Sequence, residues 1–210
     1  MSNFKSQFGQ DRHVISTIYP QKRSGFFVEI GAYDGVESSN TYALEKDFGW
    51  KGLCVECNPR FYNTLVKSRN CLTSNHAVYN VNGAVLDFYD SGGCAGLVET
   101  NNHQHVTSDP RIKVTTKTLT KLLDEIQAPP FIEFLSLDTE GSEYEILKAH
   151  DFDKYKFGYI CVEHNRVEKN RKAIRELLEI RGYRFYRENG DSHWGIIDDD
   201  YILEKINEYT

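Results

Sequence analysis

Four short apolar runs in this 210-residue chain end in carboxylates, and those ends are where its chemistry is concentrated. The first reads Phe26-Phe27-Val28-Glu29-Ile30-Gly31-Ala32-Tyr33-Asp34-Gly35, and the second Leu53-Cys54-Val55-Glu56. Gly31 and Gly35 let the backbone turn sharply and approach a ligand without a Cβ in the way. A carboxylate that ends the following strand, Glu56, can accept hydrogen bonds from two ribose hydroxyls. The spacing is not the G-x-G-x-x-G of a pyrophosphate site. With Glu29 and Asp34 flanking the turn, negative charge stands where a phosphate would need donors, which suits a cationic ligand carrying an amino group. S-adenosylmethionine has those features: a sulfonium, an ammonium and a ribose.

The other two runs end Leu135-Ser136-Leu137-Asp138-Thr139-Glu140-Gly141 and Val162-Glu163-His164-Asn165. In an open α/β sheet ligands lie beyond the carboxyl ends of the strands, so Asp138, Glu163 and His164 are expected on one rim. A hydroxyl acceptor needs a base there; His164 and Asp138 are the expected pair, with the imidazole taking the proton and the carboxylate orienting it. Asp138 with Glu163 could instead hold a divalent cation, Mg or Mn, through oxygen ligands. The stretch from Asp138 to Ser142 could also simply cap the helix that follows. His103 and His105 lie in a polar loop and read as solvent-exposed rather than metal-ligating. Cys54-Val55-Glu56-Cys57 has no second cysteine pair at zinc-site spacing, so its thiols read as small hydrophobes.

These residues need a scaffold, and the hydrophobic pattern supplies one. Mainly apolar strands are expected at about 26–30, 52–56, 72–77, 131–137 and 159–163, separated by helix-compatible segments at 40–48, 59–69, 143–150 and 169–181. Near-continuous apolar strands suit a parallel sheet. Two further strands, 183–187 and 193–197, flank Glu188-Asn189-Gly190-Asp191 and read as a closing antiparallel hairpin. We expect one domain over 1–210, with an N-terminal lead-in helix in 1–24 and an acceptor-binding loop at 90–111, rich in Gly, Asn and His.

A hydrophobic content of 40% is enough for a sizeable core, and a net charge of −6 argues against nonspecific nucleic-acid or membrane-surface binding. Five cysteines, an odd number, with no apolar leader, point to a reducing, cytoplasmic setting. Oligomeric state is not legible.

Taken together, the residues from Gly25 to Gly35 with Ser39-Asn40-Thr41, and Trp50-Lys51-Gly52-Leu53-Cys54-Val55-Glu56-Cys57-Asn58-Pro59, resemble the FkbM-type methyltransferases. The blocks from Phe134 to Glu143, Ile146-Leu147-Lys148 and Val162-Glu163-His164-Asn165 extend the resemblance, as does Ser6-Gln7-Phe8-Gly9-Gln10-Asp11. The resemblance implies a class I, Rossmann-like methyltransferase fold: α/β, a mostly parallel central sheet with a C-terminal antiparallel hairpin, and helices on both faces. It also implies S-adenosylmethionine as cofactor and a small-molecule or glycan hydroxyl as acceptor, mostly on sugars or polyketide-type products. By that resemblance Glu29, Gly31, Ala32, Tyr33, Asp34 and Gly35 form the turn at the methionine end, with Ser39 and Asn40 near its carboxylate. Glu56 holds the ribose, Asn58 and the Asn75-His76-Ala77 turn border the adenine, and Asp138 faces the methyl group and the acceptor. Tyr33, Tyr42 and Trp194 are candidates for stacking on a sugar ring. Rival expectations are a non-catalytic S-adenosylmethionine-binding module and a non-sugar acceptor.

Overall fold

The computed structural model describes residues 3–193 and 195–209, so Trp194 lies outside the described residues. The described residues form ten strands: β1 Phe26–Ile30, β2 Lys51–Val55, β3 Leu72–Ser74, β4 Ala77–Val78, β5 Val85–Tyr89, β6 Arg111–Lys117, β7 Phe131–Leu137, β8 Lys156–Glu163, β9 Tyr183–Asp191 and β10 Gly195–Leu203. Seven make the central sheet in the order β3-β2-β1-β7-β8-β10-β9. The pairs from β3 through β8 are parallel, whereas β10 runs antiparallel to both β8 and β9. The order reverses between β1 and β7, the kind of switch point beyond whose strand ends a crevice opens.

The two-residue period of the strands divides the core. Val28, Leu53, Leu135 and Leu137 pack on one face against α4 Leu119–Glu125, α5 Glu143–Ala149 and α6 Glu168–Ile180. Their neighbours Phe27, Cys54 and Phe134 pack on the other, against the helical stretch α1 Gln10–His13 with its π-turn continuation Val14–Ile18, α2 Tyr42–Phe48 and α3 Pro59–Ser68. Each fully buried Leu, Val or Phe adds roughly 1.5–3 kcal/mol. Helices therefore cover both faces. At the switch point Gly31, with φ +83°, sits where an added Cβ would lie 1.8 Å from the Asp138 carbonyl oxygen. Only glycine lets β1 and β7 end this close together.

Three expectations change. The 72–77 run is two strands, because β4 leaves the main sheet for a second, three-stranded one, β4-β6-β5. That sheet, and helix α4, were not foreseen. The hairpin turn lies after Asp191 rather than at 188–191: Asn189 pairs with Asp198 and Glu188 with Asp199 inside the β9–β10 ladder. Tertiary pairing of β10 with β8 sets that register, and the local Asn-Gly turn signal yields to it. In the lead-in segment, helix covers residues 10–18 only.

Candidate active site

A cavity of about 880 Å³ opens at the carboxyl ends of β1, β2, β7 and β8. It lies toward the upper end of the roughly 300–1,000 Å³ typical of small-molecule sites. The 90–110 loop, which joins β5 to β6, forms one wall through Gly92, Cys94, Leu97, Asn102, His103 and His105. One end is aromatic: the Tyr33 and Phe61 rings stand 4.1 Å apart centre to centre, and His76 and Phe88 line the same cavity. The other is acidic, with Asp138, Glu140 and Glu163 in its wall.

Glu56 follows β2 directly, beside the aromatic pair. Its Oε2 accepts from the Tyr33 backbone N–H at 3.0 Å and its Oε1 from that of Asn58 at 2.7 Å, so each oxygen keeps a free lone pair. Burial pushes its pKa up to about 7, against the pull of these two bonds. Glu29 is engaged differently. Its carboxylate accepts from Ser39 Oγ (2.9 Å), the Asn40 backbone N–H (2.7 Å), Thr41 Oγ1 (2.6 Å) and Arg69 Nη1 (3.3 Å), so it clamps the loop after β1. Asn40 then donates through Nδ2 to Ser136 Oγ, while its buried Oδ1 has no protein partner on the cavity wall.

At the acidic end one carboxylate oxygen each from Asp138, Glu143 and Glu163 lies within 4.8 Å of the other two. Glu143 Oε1 is spent on the Thr139 N–H, the Thr139 hydroxyl and the Gly141 N–H, and so braces the turn after β7. Asp138 and Glu163 keep more freedom. Desolvation by the surrounding protein, with the Glu140 charge next, holds the pKa of Asp138 well above the ordinary aspartate range. Its side chain is nonetheless exposed to water in the cavity, which moderates the effect. Burial and then the Asp138 charge raise Glu163 in the same way. Asn165 Nδ2 bridges Glu140 and Glu163 at 2.7 Å each.

Of the expected cofactor residues, Glu29, Gly31, Ala32, Tyr33, Ser39, Asn40, Glu56, His76 and Asp138 line the cavity. Asp34, Gly35, Asn58 and Ala77 do not. Asp34 Oδ1 accepts from the Val36 and Glu37 N–H groups, and a Cβ on Gly35 would strike Leu65 of α3 at 2.6 Å. Asn58 is the N-cap of α3, accepting from the Arg60 N–H at 3.0 Å. Ala77 is buried in β4.

Among the expected catalytic residues, Asp138 and Glu163 meet in the cavity and His164 turns away from it. Residue 164 follows Glu163 at the end of β8, and successive side chains point to opposite faces. His164 Nδ1 accepts from the Arg166 N–H at 3.1 Å, and Nε2 faces Asp199 Oδ1 at 3.7 Å. The proton-accepting role expected of it therefore has no geometric basis. His103, expected in solvent, is half-buried with Nε2 at 2.6 Å from Glu140 Oε2.

Sequence reading missed Gln7, Phe61, Cys94, Asn165, Arg166 and Ile197, which also line the cavity. Backbone strain marks part of the same wall. Of eight described non-glycine residues with positive φ, Tyr33, Ser38, Glu140, Asn165 and Arg166 belong to it. Left-handed backbone of this kind costs on the order of 1–3 kcal/mol per residue and persists only where surrounding structure holds it. The Asn165-Arg166 dipeptide was a readable signal, since asparagine tolerates this conformation.

A family model described as Methyltransferase FkbM domain matches residues 29–185. No curated protein sequence matches the chain. Among solved structures, an FkbM methyltransferase from Methylobacillus flagellatus KT is 14% identical with a TM-score of 0.56, over 85% of this chain and 43% of that one. TrmK of M. capricolum, solved in complex with S-adenosyl-homocysteine, is 12% identical with a TM-score of 0.54, over 92% and 67%. The fibrillarin pre-rRNA processing protein of Methanococcus jannaschii is 13% identical with a TM-score of 0.51, over 93% and 76%. At such identities the likeness is one of fold, and the chain spans less than half the length of the M. flagellatus protein.

Proposed function

The chain belongs to the FkbM methyltransferase family and is an S-adenosylmethionine-dependent methyltransferase, and we propose that it methylates a hydroxyl of a small molecule or glycan, with a sugar as the first acceptor to test. The observation that carries this reading is the polarity of one cavity: an aromatic end beside a buried carboxylate, and an acidic end with two carboxylates of raised proton affinity.

The residues present fit the cofactor. Tyr33, Phe61 and His76 would hold the adenine, and ionised Glu56 would accept from the ribose hydroxyls. The unpartnered Asn40 Oδ1 would accept from the ligand's ammonium. When bound, S-adenosylmethionine supplies an electrophilic methyl group on sulfur. The chain's task is to position the acceptor and remove its proton. Asp138 and Glu163 would do so: their raised proton affinity would make them stronger bases than ordinary carboxylates. Direct in-line transfer from sulfur to the acceptor oxygen needs only that the two be held in line, and is the economical route.

Asp138 and Glu163 also form the oxygen set that would hold Mg or Mn, with Glu143 as the third carboxylate. Such a cation would lower the pKa of a hydroxyl bound to it. The 90–110 loop, as one wall of the cavity, would set acceptor choice. A net charge of −6 and the acidic cavity favour a small neutral acceptor over nucleic acid. No helix among the described residues is long and apolar enough to cross a membrane; the cytoplasmic setting we propose rests on the five free cysteines.

Calorimetric titration with S-adenosylhomocysteine, with and without Mg, followed by transfer of labelled methyl to a panel of sugars and polyketide-type alcohols, tests the reading. Micromolar binding with transfer to a hydroxyl supports it. Binding without transfer to any acceptor would favour a non-catalytic module, and no binding would sink both.

A further inference from the structure

The 90–110 loop carries a second group of donors that methyl transfer leaves unused. Cys94, His103 and His105 each offer one ligand atom, and the three atoms lie within 4.8 Å of one another. All three residues line the cavity wall. Their chemistry differs from that of the carboxylates across the cavity: one thiol and two imidazoles select zinc-class ions, whereas an all-oxygen set suits Mg or Mn. The surroundings are arranged as metal sites are. Glu140 Oε2 stands 2.6 Å from His103 Nε2 and is itself held by Asn165 Nδ2 at 2.7 Å, the carboxylate–histidine support that fixes a ligating imidazole. Asn101 ties the two halves of the loop together, donating to the Cys94 carbonyl at 3.0 Å and accepting from the His103 N–H at 2.8 Å.

We propose that Cys94, His103 and His105, backed by Glu140, bind one zinc-class metal ion that clamps the 90–110 loop onto the acidic wall of the cavity. Zinc–nitrogen and zinc–sulfur bonds of about 2.0–2.3 Å hold tetrahedral ligand atoms roughly 3.3–3.8 Å apart, so atoms within 4.8 Å of one another need at most a small contraction of the loop. The loop has room for it. Cys94 ends a single 3₁₀ turn, Gly92–Cys94, and no atom lies within 4 Å of where a Cβ would stand on Gly92 or Gly93. As the metal–sulfur bond forms, the Cys94 thiol proton leaves to solvent. All three ligands come from one short segment, C-x₈-H-x-H, so the loop closed is small and its ordering cost modest. The proposal is independent of the acceptor and of the methyl-transfer reading.

Chelator-stripped protein titrated with Co²⁺ tests it. The expected result is a thiolate-to-cobalt charge-transfer band that saturates at one equivalent, is displaced by Zn²⁺ and is unmoved by excess Mg²⁺. Cys94→Ser should abolish the band, and Cys71→Ser, which is not part of the cavity wall, should keep it. Zinc affinity should fall by roughly tenfold or more in His103→Ala and in His105→Ala, and by roughly 10–100-fold in Glu140→Gln. Zinc should also protect the 90–110 loop from protease in the parent chain and not in Cys94→Ser. A band that persists in Cys94→Ser, or no stoichiometric uptake by parent protein with an intact circular dichroism spectrum, overturns the proposal.

Discussion

Two acidic regions of this molecule look alike as sequence and behave oppositely in the fold. On β10 the run Asp198-Asp199-Asp200 is buried, and two of its members are met by arginines. Arg171 grips Asp199 through Nε and Nη2 at 2.8 and 2.7 Å, Arg175 adds a contact at 3.3 Å, and Arg187 Nε meets Asp200 at 2.7 Å. Burial alone would raise Asp199, but the His164 ring beside it and the Arg171 hydrogen bonds outweigh it and bring its pKa down to about 2. Asp198, whose Oδ2 is met by the neutral Gln10 amide at 2.8 Å, is pushed up to about 7 by burial. At the cavity, Asp138, Glu143 and Glu163 have no lysine or arginine ion pair among the described residues, and burial raises all three. What separates these carboxylates is the partner rather than their number: arginines hold Asp199 and Asp200, whereas Asp198, Asp138, Glu143 and Glu163 have no such partner among the described residues and gain proton affinity.

The comparison breaks most visibly in rate. Asp138→Asn and Glu163→Gln should each lower kcat by about 10²–10⁴-fold while leaving S-adenosylhomocysteine affinity within a few-fold and Tm unchanged or raised, since a neutral isostere relieves a buried like-charge contact. Loss of Tm with kcat intact would reverse the assignment. Arg187→Ala is the opposite test. It strands Asp200, which is wholly buried, and should cost about 3 kcal/mol in denaturant unfolding, the low end for a broken buried pair because Tyr159 still donates to Asp200. Asp199 adds an acid signature. Its folded pKa is depressed below the unfolded value, so its stabilisation is complete above about pH 4 and is lost as pH falls toward 2.

Glu56 sharpens the contrast at the ligand end. Its raised pKa means the ionised form needed by the ribose hydroxyls accumulates only as pH rises through about 7. S-adenosylhomocysteine affinity should therefore climb by up to about tenfold per pH unit below that point and level off above it, with Glu56→Gln weaker and flat. A pH-independent affinity in the parent chain would remove Glu56 from the ribose. The smallest effect is expected at Asn58, a residue read as adenine-bordering that the fold uses as a cap. Asn58→Ala should lose about 1 kcal/mol of stability with little change in ligand affinity.

Much of this arrangement was legible, and the failures have physical causes. That Glu29, Gly31, Glu56, Asp138 and Glu163 line the cavity is legible because a carboxylate or glycine closing an apolar run is a local signal with a fixed place in a parallel sheet. His164 was misplaced because a one-residue step along a strand reverses the face, and nothing local says which of Glu163 and His164 points inward. Arg171 and Arg175 serve Asp199 from α6, a pairing made across 28 and 24 residues that no local pattern announces.

By itself the sequence determined the alternation of strands and helices, the parallel sheet and the glycine turn at its switch point, since apolar period and the absence of a Cβ act within a few residues. Tertiary structure alone decided which acids meet arginines and which face the cavity, where the hairpin turns, and that Cys94, His103 and His105 converge. Those outcomes depend on contacts between segments distant along the chain or on how one loop folds back, and neither is written in local pattern.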